Sequence, residues 1–508
     1  MAEARTRLND GDYFWARWLW LRALALIFFS AFFSLAFQIH GLIGERGILP
    51  AGLYLDQLGA LGPFRRFWYA PTLFWIGSGD TALTIAVAAG LIASVLLLLN
   101  VWPRLTTGLC TLLFLSCIAS LQEFSSYQSD GMLLEAGLLS IFFAPGGIRP
   151  GLGLSSAPSR FSLFMLQWEW FRIYFESGLV KILSGDPHWR NLTAMDDYYQ
   201  NGPLPSWLGW YVQQLPHWYH AGTVIFTFVA ELFLVWALFL PRRFRLFAFV
   251  VLSALQIGII STANYAFLNY LVLALGILLL DDELLHRFRF RALTPTSTPE
   301  TSRSRAYRRI ETGILGVLFY TTIVAFLFGQ SSSIVALPDR LLGPFRVANA
   351  YGLFAVMTEA RYEIEFQGSN DGKTWVAYPF RYKPQDVRER PGFYAPYQPR
   401  FDWNLWFASL GSWRAAPWVV LTEERLLEGS PSVLSLFRAD PFHGKPPSMV
   451  RTVISQYWFT DLDTKRRTGE WWRRQEIGPF TVMVLRGQDG AAIIGPPPDA
   501  GVTLQPDR

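Results

Sequence analysis

The chain has 508 residues, of which 51% are hydrophobic and 16% are charged, and its formal net charge is +5. Soluble domains carry about 25% charged residues, so this composition excludes an ordinary soluble protein. Its basic residues fall in short loops between apolar runs and form no stripe, so we expect no nucleic-acid partner.

Apolar windows of membrane-spanning length predict about nine transmembrane helices in the first 330 residues. They are expected near residues 18–39, 81–101, 105–121, 131–144, 161–183, 221–240, 244–261, 264–280 and 310–328. We therefore predict a polytopic α-helical transmembrane domain over residues 1–330. A non-cytoplasmic β-rich domain over 331–486 and a disordered tail over 487–508 would follow.

The arginines of the loops predict the orientation of the chain in the lipid bilayer. With the N-terminus in the cytoplasm, sixteen arginines fall in inside segments and only Arg46, Arg65, Arg66 and Arg190 fall outside. Positive charge favours the cytoplasmic side. With nine spans, the C-terminal domain then lies on the non-cytoplasmic side.

The fifth predicted span carries four ionisable residues, Glu169, Arg172, Glu176 and Lys181. Each charge costs roughly 3 kcal/mol near the middle of a membrane helix, so we expect these residues to have a structural or functional role. Glu169, Arg172 and Glu176 share one helical face, and we expect Arg172 to reach both carboxylates. This group is either a structural ion-pair network or a substrate or proton site.

Lys181 points to the opposite face and lies near the outer end of the span, where we expect it to snorkel to the interface. Burial would instead make it a candidate base. Glu135 and Glu231 are further buried polar candidates in other spans. A catalytic set, if there is one, would be Lys181, Arg172, Glu176 and Glu231.

The outer loop over residues 184–220 contains His188, His217 and His220. The HxxH spacing of the last two suits a metal on a helix, but a lone pair of this kind is a weak signal. We predict neither a metal nor a cofactor, with these histidines as the weak alternative.

Beyond residue 341 the sequence pattern changes to that of a β-rich domain. Residues 362–367 alternate, a turn over 369–372 follows, and 374–380 resume the strand, which predicts a hairpin. Residues 400–410 and 418–427 have helical spacing, and 449–459 and 480–485 are expected to be strands. A sandwich-like fold with a helical insertion fits this order.

Several motifs together resemble the lipase maturation factor family. In the membrane part they are Trp170-Phe-Arg-x-x-x-x-Ser-Gly-Leu-Val-Lys181, His188-Trp-Arg-Asn-Leu-Thr-Ala-Met-Asp196 and Gly202-Pro-Leu-Pro205. In the outer domain they are Gln367-Gly-Ser-Asn-Asp-Gly372, Arg400-Phe-Asp-Trp-Asn-Leu-Trp-Phe407, Asp440-Pro-Phe-His-Gly-Lys-Pro-Pro447 and Trp471-Trp-x-Arg-x-x-Ile-Gly-Pro479. The similarity covers about residues 10 to 485.

The resemblance implies a function. Eukaryotic members of the family are multi-pass membrane proteins of the endoplasmic reticulum that dimeric lipases need in order to fold and leave that compartment active. It implies a chaperone-like protein-maturation role with an exported client, which could be a lipase. Candidates for client contact are Trp189, Asp196, Asp197, Arg400, Asp402, Trp403 and Trp406.

The cysteines depart from the eukaryotic pattern. The chain has two, Cys110 and Cys117, both inside one predicted span, whereas the eukaryotic relatives have several luminal ones. We therefore expect no thiol redox role and a bacterial member in the cell inner membrane with a periplasmic outer domain.

Ser177-Gly-Leu-Val-Lys181 with Asp186-Pro-His-Trp189 also resembles the membrane domain of vitamin K-dependent γ-carboxylases, where a lysine at the place of Lys181 is the base. A membrane enzyme acting on a quinone or lipid is therefore the alternative hypothesis. A transporter is weaker still, because the sequence shows no inverted repeat.

Overall fold

The computed structural model describes residues 13–287, 305–329, 333–487 and 492–495. Most of the described residues before 330 are helical. The helices, in chain order, are α1 (Phe14–Ala36), α2 (Ile39–Ile43), α3 (Ala51–Gly59), α4 (Pro63–Tyr69), α5 (Asp80–Leu98), α6 (Pro103–Ser120), α7 (Gln128–Phe143), α8 (Arg160–Leu183), α9 (Pro187–Arg190), α10 (Tyr198–Asn201), α11 (Trp207–Gln213), α12 (His217–Phe228), α13 (Arg242–Thr262), α14 (Leu268–Gly276), α15 (Asp282–Arg287), α16 (Arg305–Phe328), α17 (Leu337–Leu342), α18 (Arg400–Ser409), α19 (Trp418–Leu427), α20 (Pro431–Leu434) and α21 (Leu462–Thr468).

Six of these helices are long and apolar enough to cross a membrane: α1, α5, α6, α13, α16 and α12 with its continuation to Phe239. Each coincides with a predicted span. The continuation of α12 is irregular, with a π-helical turn over Val229–Phe233 and a 3₁₀ stretch over Leu234–Phe239. Single π-helical turns occur often at functional positions, and this one contains Glu231.

The other three predicted spans are also helical but differ from simple membrane helices. Helix α7 has 16 residues and α14 has 9, so both are short for a bilayer about 30 Å thick. Helix α8 is long enough at 24 residues but carries the ionisable groups described above. The count of nine crossings therefore stays a prediction.

Contacts between distant segments gather at the two ends of the helix bundle. At one end Arg17 donates to the carbonyl of Ser156 at 2.8 Å, joining the start of α1 to the α7–α8 loop. At the other end Gln38 donates to the carbonyl of Gln398 at 2.9 Å. Asn264 likewise donates to a backbone carbonyl of the C-terminal part. The C-terminal part therefore packs on the end opposite to the chain start.

The C-terminal part contains one antiparallel sheet with helices packed against it. Its strands are β1 (Arg361–Ser369), β2 (Val376–Ala377), β3 (Met449–Phe459), β4 (Trp472–Pro479), β5 (Val484–Arg486) and β6 (Ala492–Ile494). The order is β2-β1-β3-β5-β6, and β4 pairs with the other half of the long strand β3. Helix α18 packs against β1, where Ser409 donates to the carbonyl of Tyr362 at 3.0 Å.

The predicted hairpin, the strand over 449–459 and both predicted helices are confirmed as β1–β2, β3, α18 and α19. The sandwich is not: the described residues form a single sheet, and its second layer consists of helices. Strand β4 is missing from the predicted elements, because its polar, exposed residues give no apolar alternation. The tail predicted to be disordered includes β6, and its residues 488–491 and 496–508 lie outside the described part.

Candidate functional site

Arg172 lies at the centre of a polar cluster inside the helix bundle. The polar cluster comprises Glu135, Glu169, Arg172, Glu176 and Tyr351, each at most 3% exposed. Arg172 of α8 donates to one carboxylate oxygen of Glu135 of α7. The other oxygen accepts hydrogen bonds from the Tyr351 hydroxyl at 2.9 Å and from both nitrogens of Asn349 at 3.0 and 3.1 Å. The Glu135 carboxylate is thus fully bonded in a dry environment.

The partners of Arg172 differ from those that the helical spacing predicts. Arg172 forms its ion pair with Glu135 instead of Glu169 or Glu176, because Glu135 faces it directly from the neighbouring helix. Glu176 accepts from the backbone N–H of Tyr351 at 2.7 Å. Glu169 has no hydrogen-bond partner among the described residues. The prediction of a Glu169–Arg172–Glu176 chain was therefore wrong in its pairs.

Lys181 does not snorkel. Its side chain is 2% exposed, and its ammonium donates to both carboxylate oxygens of Glu231, at 2.8 and 3.0 Å. Gly178 makes this pairing possible, since a Cβ there would lie 2.8 Å from that of Glu231. The aromatic ring of Trp189 lies 5.3 Å from the ammonium. Lys181 therefore pairs with an opposite charge across a close helix contact instead of extending to the membrane interface.

The end of α8 and the loop after it hold a segment of the chain far away in sequence. We call residues 349–358 the connecting segment, because they join the bundle to β1. Four residues of the α8–α9 region bond its backbone: Glu176 and Ser177 accept from the N–H of Tyr351 and Leu353, Asp186 accepts from that of Met357 at 2.6 Å, and Trp189 donates to the carbonyl of Phe354 at 3.0 Å. We call these four residues, Glu176, Ser177, Asp186 and Trp189, the cradle of the connecting segment.

Asp186 is the acidic centre of this cradle. Burial raises its pKa, but the N–H groups of Met357 and His188 and the His188 imidazole, 2.8 Å away, outweigh burial. The pKa of Asp186 therefore lies below its ordinary value. Asp186 also caps α9 through the His188 N–H, so one carboxylate fixes both the loop and the connecting segment.

The outer loop is clamped to the sheet through Arg361 of β1. This fully buried guanidinium donates to the backbone carbonyls of Gln200 and Pro203, both at 3.1 Å, and of Gly202. From α18, the Trp406 indole donates to the carbonyl of Asn201 at 3.0 Å. The Gly202-Pro-Leu-Pro205 motif therefore serves as a docking point between the two parts of the chain.

Arg400 and Asp402 are internal groups and not parts of a surface. Arg400 forms a bidentate ion pair with Asp130 at the start of α7, at 2.7 and 2.8 Å, and both side chains are fully buried. Asp402 accepts from the N–H groups of Tyr382 and Lys383 at 3.2 Å. Burial raises the pKa of Asp402 to about 6, against the opposing effect of the Lys383 charge.

The histidines of the outer loop do not converge. His188 pairs with Asp186, His217 pairs with Asp196 at 2.9 Å, and His220 packs against Tyr199. Across the described residues no group of three or more His, Cys, Asp or Glu side chains is placed to hold a metal ion. Beside Asp196, burial and the Asp196 charge raise the pKa of Asp197.

A cavity of about 320 Å³ lies where the bundle, the outer loop and the C-terminal part meet; we call it the junction pocket. Its walls come from the start of α7, the end of α10, the residues around α14, the connecting segment and α18. Side chains in its walls include Tyr127, Ser129, Val356, Trp403, Trp406 and Phe407. Two of the predicted client-contact residues, Trp403 and Trp406, therefore line one pocket.

Four residues of these contacts are absent from the predicted site. Asp130, Asn349, Tyr351 and Arg361 occupy ordinary-looking positions in the sequence, and only their neighbours in space give them a role. A signal for Asp130 was available, since a carboxylate beside a predicted span needs a partner. For Asn349 and Tyr351 no local pattern exists.

Comparisons with known proteins address the family. A family model described as "Lipase maturation factor transmembrane domain" matches residues 15–287. A second, "Lipase maturation factor C-terminal domain", matches residues 347–482. The chain belongs to the lipase maturation factor family. Its multi-pass membrane character follows from that family together with the six apolar helices.

Vertebrate relatives match the chain almost end to end. Lipase maturation factor 2 of Homo sapiens is 31% identical, covering 93% of this chain and 83% of its own length. Lipase maturation factor 1 of Mus musculus is 30% identical, covering 94% and 88%. No solved structure matches the chain. The family motifs that contain Trp189, Gly202 and Arg400 make contacts that join the membrane part to the C-terminal part.

Proposed function

We propose that this lipase maturation factor family member is a membrane-anchored maturation or folding factor for exported proteins. The names of its relatives support the role, and the junction pocket is the observation that carries it here. The pocket lies at the end of the bundle that meets the C-terminal part, which is the outer end in the proposed orientation, and is lined by aromatic side chains. Such side chains dominate protein-contact hot spots.

The orientation belongs to the same proposal. Nine crossings with the N-terminus inside give a non-cytoplasmic domain over about residues 331–486, which is periplasmic if the protein is bacterial. The client would be an exported protein such as a lipase. A fluorescent reporter that matures only in the cytosol, fused to the C-terminus, should stay dark; a bright fusion contradicts the orientation.

Deletion of the gene tests the function. We expect exported hydrolase activity to fall while the amount of hydrolase synthesised is unchanged, and a plasmid copy should restore the activity. Crosslinking and mass spectrometry of the co-purified protein would identify the client. Normal activity of every exported hydrolase after deletion would contradict the proposed function.

The enzyme alternative would use Lys181 as a base, with Arg172, Glu176 and Glu231 around a substrate. Lys181 is instead bonded to Glu231, while Arg172 and Glu176 bond the connecting segment. These groups already have partners within the protein. We therefore assign Arg172 and Glu176 to holding the connecting segment, and the Lys181–Glu231 pair to joining α8 to the π-helical turn.

A further inference from the structure

We propose that the junction pocket binds an uncharged, apolar peptide segment of an incompletely folded client. The inference rests on the proposed function and names the chemistry that the client must present. It begins from two buried polar atoms. The Trp403 indole nitrogen and the Ser129 hydroxyl have no hydrogen-bond partner among the described residues, although both residues line the pocket and are at least nine-tenths buried.

Unpartnered buried polar groups are costly, at about 1–3 kcal/mol each, so these two indicate where a ligand would bond. An indole N–H can only donate, whereas a hydroxyl can donate or accept. A peptide group supplies both a carbonyl acceptor and an N–H donor. A triester lipid supplies acceptors alone. A peptide group can therefore satisfy both atoms whether the Ser129 hydroxyl donates or accepts, which a triester cannot.

The lack of charge in the pocket further restricts the chemistry of the ligand. None of the described residues that line it is charged. A carboxylate, phosphate or ammonium would lose its hydration without gaining a partner, which is strongly unfavourable. Fatty-acid carboxylates, phospholipid headgroups and charged peptide segments are thus disfavoured inside the pocket.

The size and walls of the pocket suit apolar side chains. A cavity of about 150 Å³ accommodates a benzene ring, so about 320 Å³ accommodates roughly two such groups. Tyr127 stacks on Trp403 with ring centroids 4.9 Å apart, which fixes the aromatic wall. Val356 and Phe407 are 68% and 46% exposed, so apolar surface also surrounds the opening. Adjacent Leu or Phe side chains of one segment match this shape.

Residues at the end of α8, in the loop after it and in α9 act on the pocket as positioning residues. Residues 352–358 of the connecting segment form one wall, and Ser177, Asp186 and Trp189 bond its backbone. The wall therefore depends on contacts that lie outside the pocket itself. The end of α8 and the residues just after it thereby shape an uncharged site that they do not themselves line.

Binding can be measured with the full-length protein in lipid nanodiscs, labelled on a C-terminal tag. The probe is the blocked peptide acetyl-Ser-Leu-Phe-Leu-Ser-amide, and the charged comparison has Asp in place of Phe. We expect the first peptide to bind at least about tenfold more tightly. Trp403→Phe and Ser129→Ala should each weaken it about fivefold, the equivalent of one net hydrogen bond. Trp413→Phe, outside the pocket, is the matched control.

Two results would overturn the proposal. One is equal affinity of Trp403→Phe, Ser129→Ala and Trp413→Phe for the peptide. The other is binding of trioctanoylglycerol, a neutral ester lipid without a hydrogen-bond donor, that depends on Trp403 while the peptide does not bind. In cells, failed client maturation after gene deletion with normal maturation in Trp403→Phe and Ser129→Ala counts against the pocket alone. Normal maturation after deletion counts against the proposed function and leaves the peptide measurement standing.

Discussion

Replacing Arg172 by Met tests whether the polar cluster stabilises the fold. The substitution keeps most of the side-chain volume but leaves the Glu135 carboxylate without its cation in a dry environment. Removing one partner of a buried ion pair costs about 3–5 kcal/mol. With an unfolding entropy of about 2.1 cal/mol/K per residue, a chain of this length shifts by about 1 °C per kcal/mol. We therefore expect the melting temperature in detergent to fall by about 3–5 °C.

Intrinsic tryptophan fluorescence on heating measures this shift. The matched control is Arg242→Met, which breaks a 28%-exposed arginine pair with Asp281 and Glu283 and should change the melting temperature by about 1 °C or less. Limited proteolysis should also show faster cleavage of the connecting segment in Arg172→Met alone. If the two variants have the same melting temperature and the same rate of cleavage, the polar cluster does not stabilise the connecting segment.

Three further predictions concern the cradle and the outer domain. Gly178→Ala should lower the melting temperature by about 1–3 °C, because its Cβ would force α8 away from Glu231. The control Gly316→Ala has open space around it and should leave the melting temperature unchanged. Equal melting temperatures of the two variants would refute the close contact at Gly178. Lys181→Met combined with Glu231→Leu removes the buried pair as a unit, so client maturation should persist; its loss at a normal protein level would favour Lys181 as a base. Asp402→Asn should change the pH dependence of stability, since the stabilisation from the raised pKa of Asp402 is fully present below pH 3.8 and is lost as the pH rises through about 6. Between pH 5 and pH 8 the melting temperature of the Asn variant should gain about 1 °C on the unsubstituted protein, or about 1.4 kcal/mol, and a constant difference would show that this carboxyl does not titrate as described.

The prediction for Lys181 was right about its helical face and wrong about where its charge goes. Helical spacing correctly separates Lys181 from the face of Arg172, yet it predicts snorkelling where the structure has a buried pair. The reason is that spacing describes one helix at a time. Whether a charge escapes to water or meets a partner depends on the neighbouring helix, and Gly178 brings that helix unusually close.

The aromatic motif of α18 likewise combines features that the sequence predicts with features that only the tertiary structure decides. Its helical spacing and its family resemblance are visible in the sequence, and the predicted helix over 400–410 is confirmed as Arg400–Ser409. The predicted client contacts separate in the structure, however. Arg400 and Asp402 are internal, whereas Trp403 and Trp406 line the junction pocket. Residue type alone does not distinguish these environments.

The sequence by itself determined the apolar helices, the strands with clear alternation and the family, because hydropathy, periodicity and motifs are local properties of the chain. Only the tertiary structure decided which charges pair, which motifs face each other and where a pocket remains. Glu135 and Tyr351 are 216 residues apart, and Asp130 and Arg400 are 270 apart. Such pairs form because an ionised group in a dry interior is costly without a partner, and the packing of the helices decides which group becomes that partner.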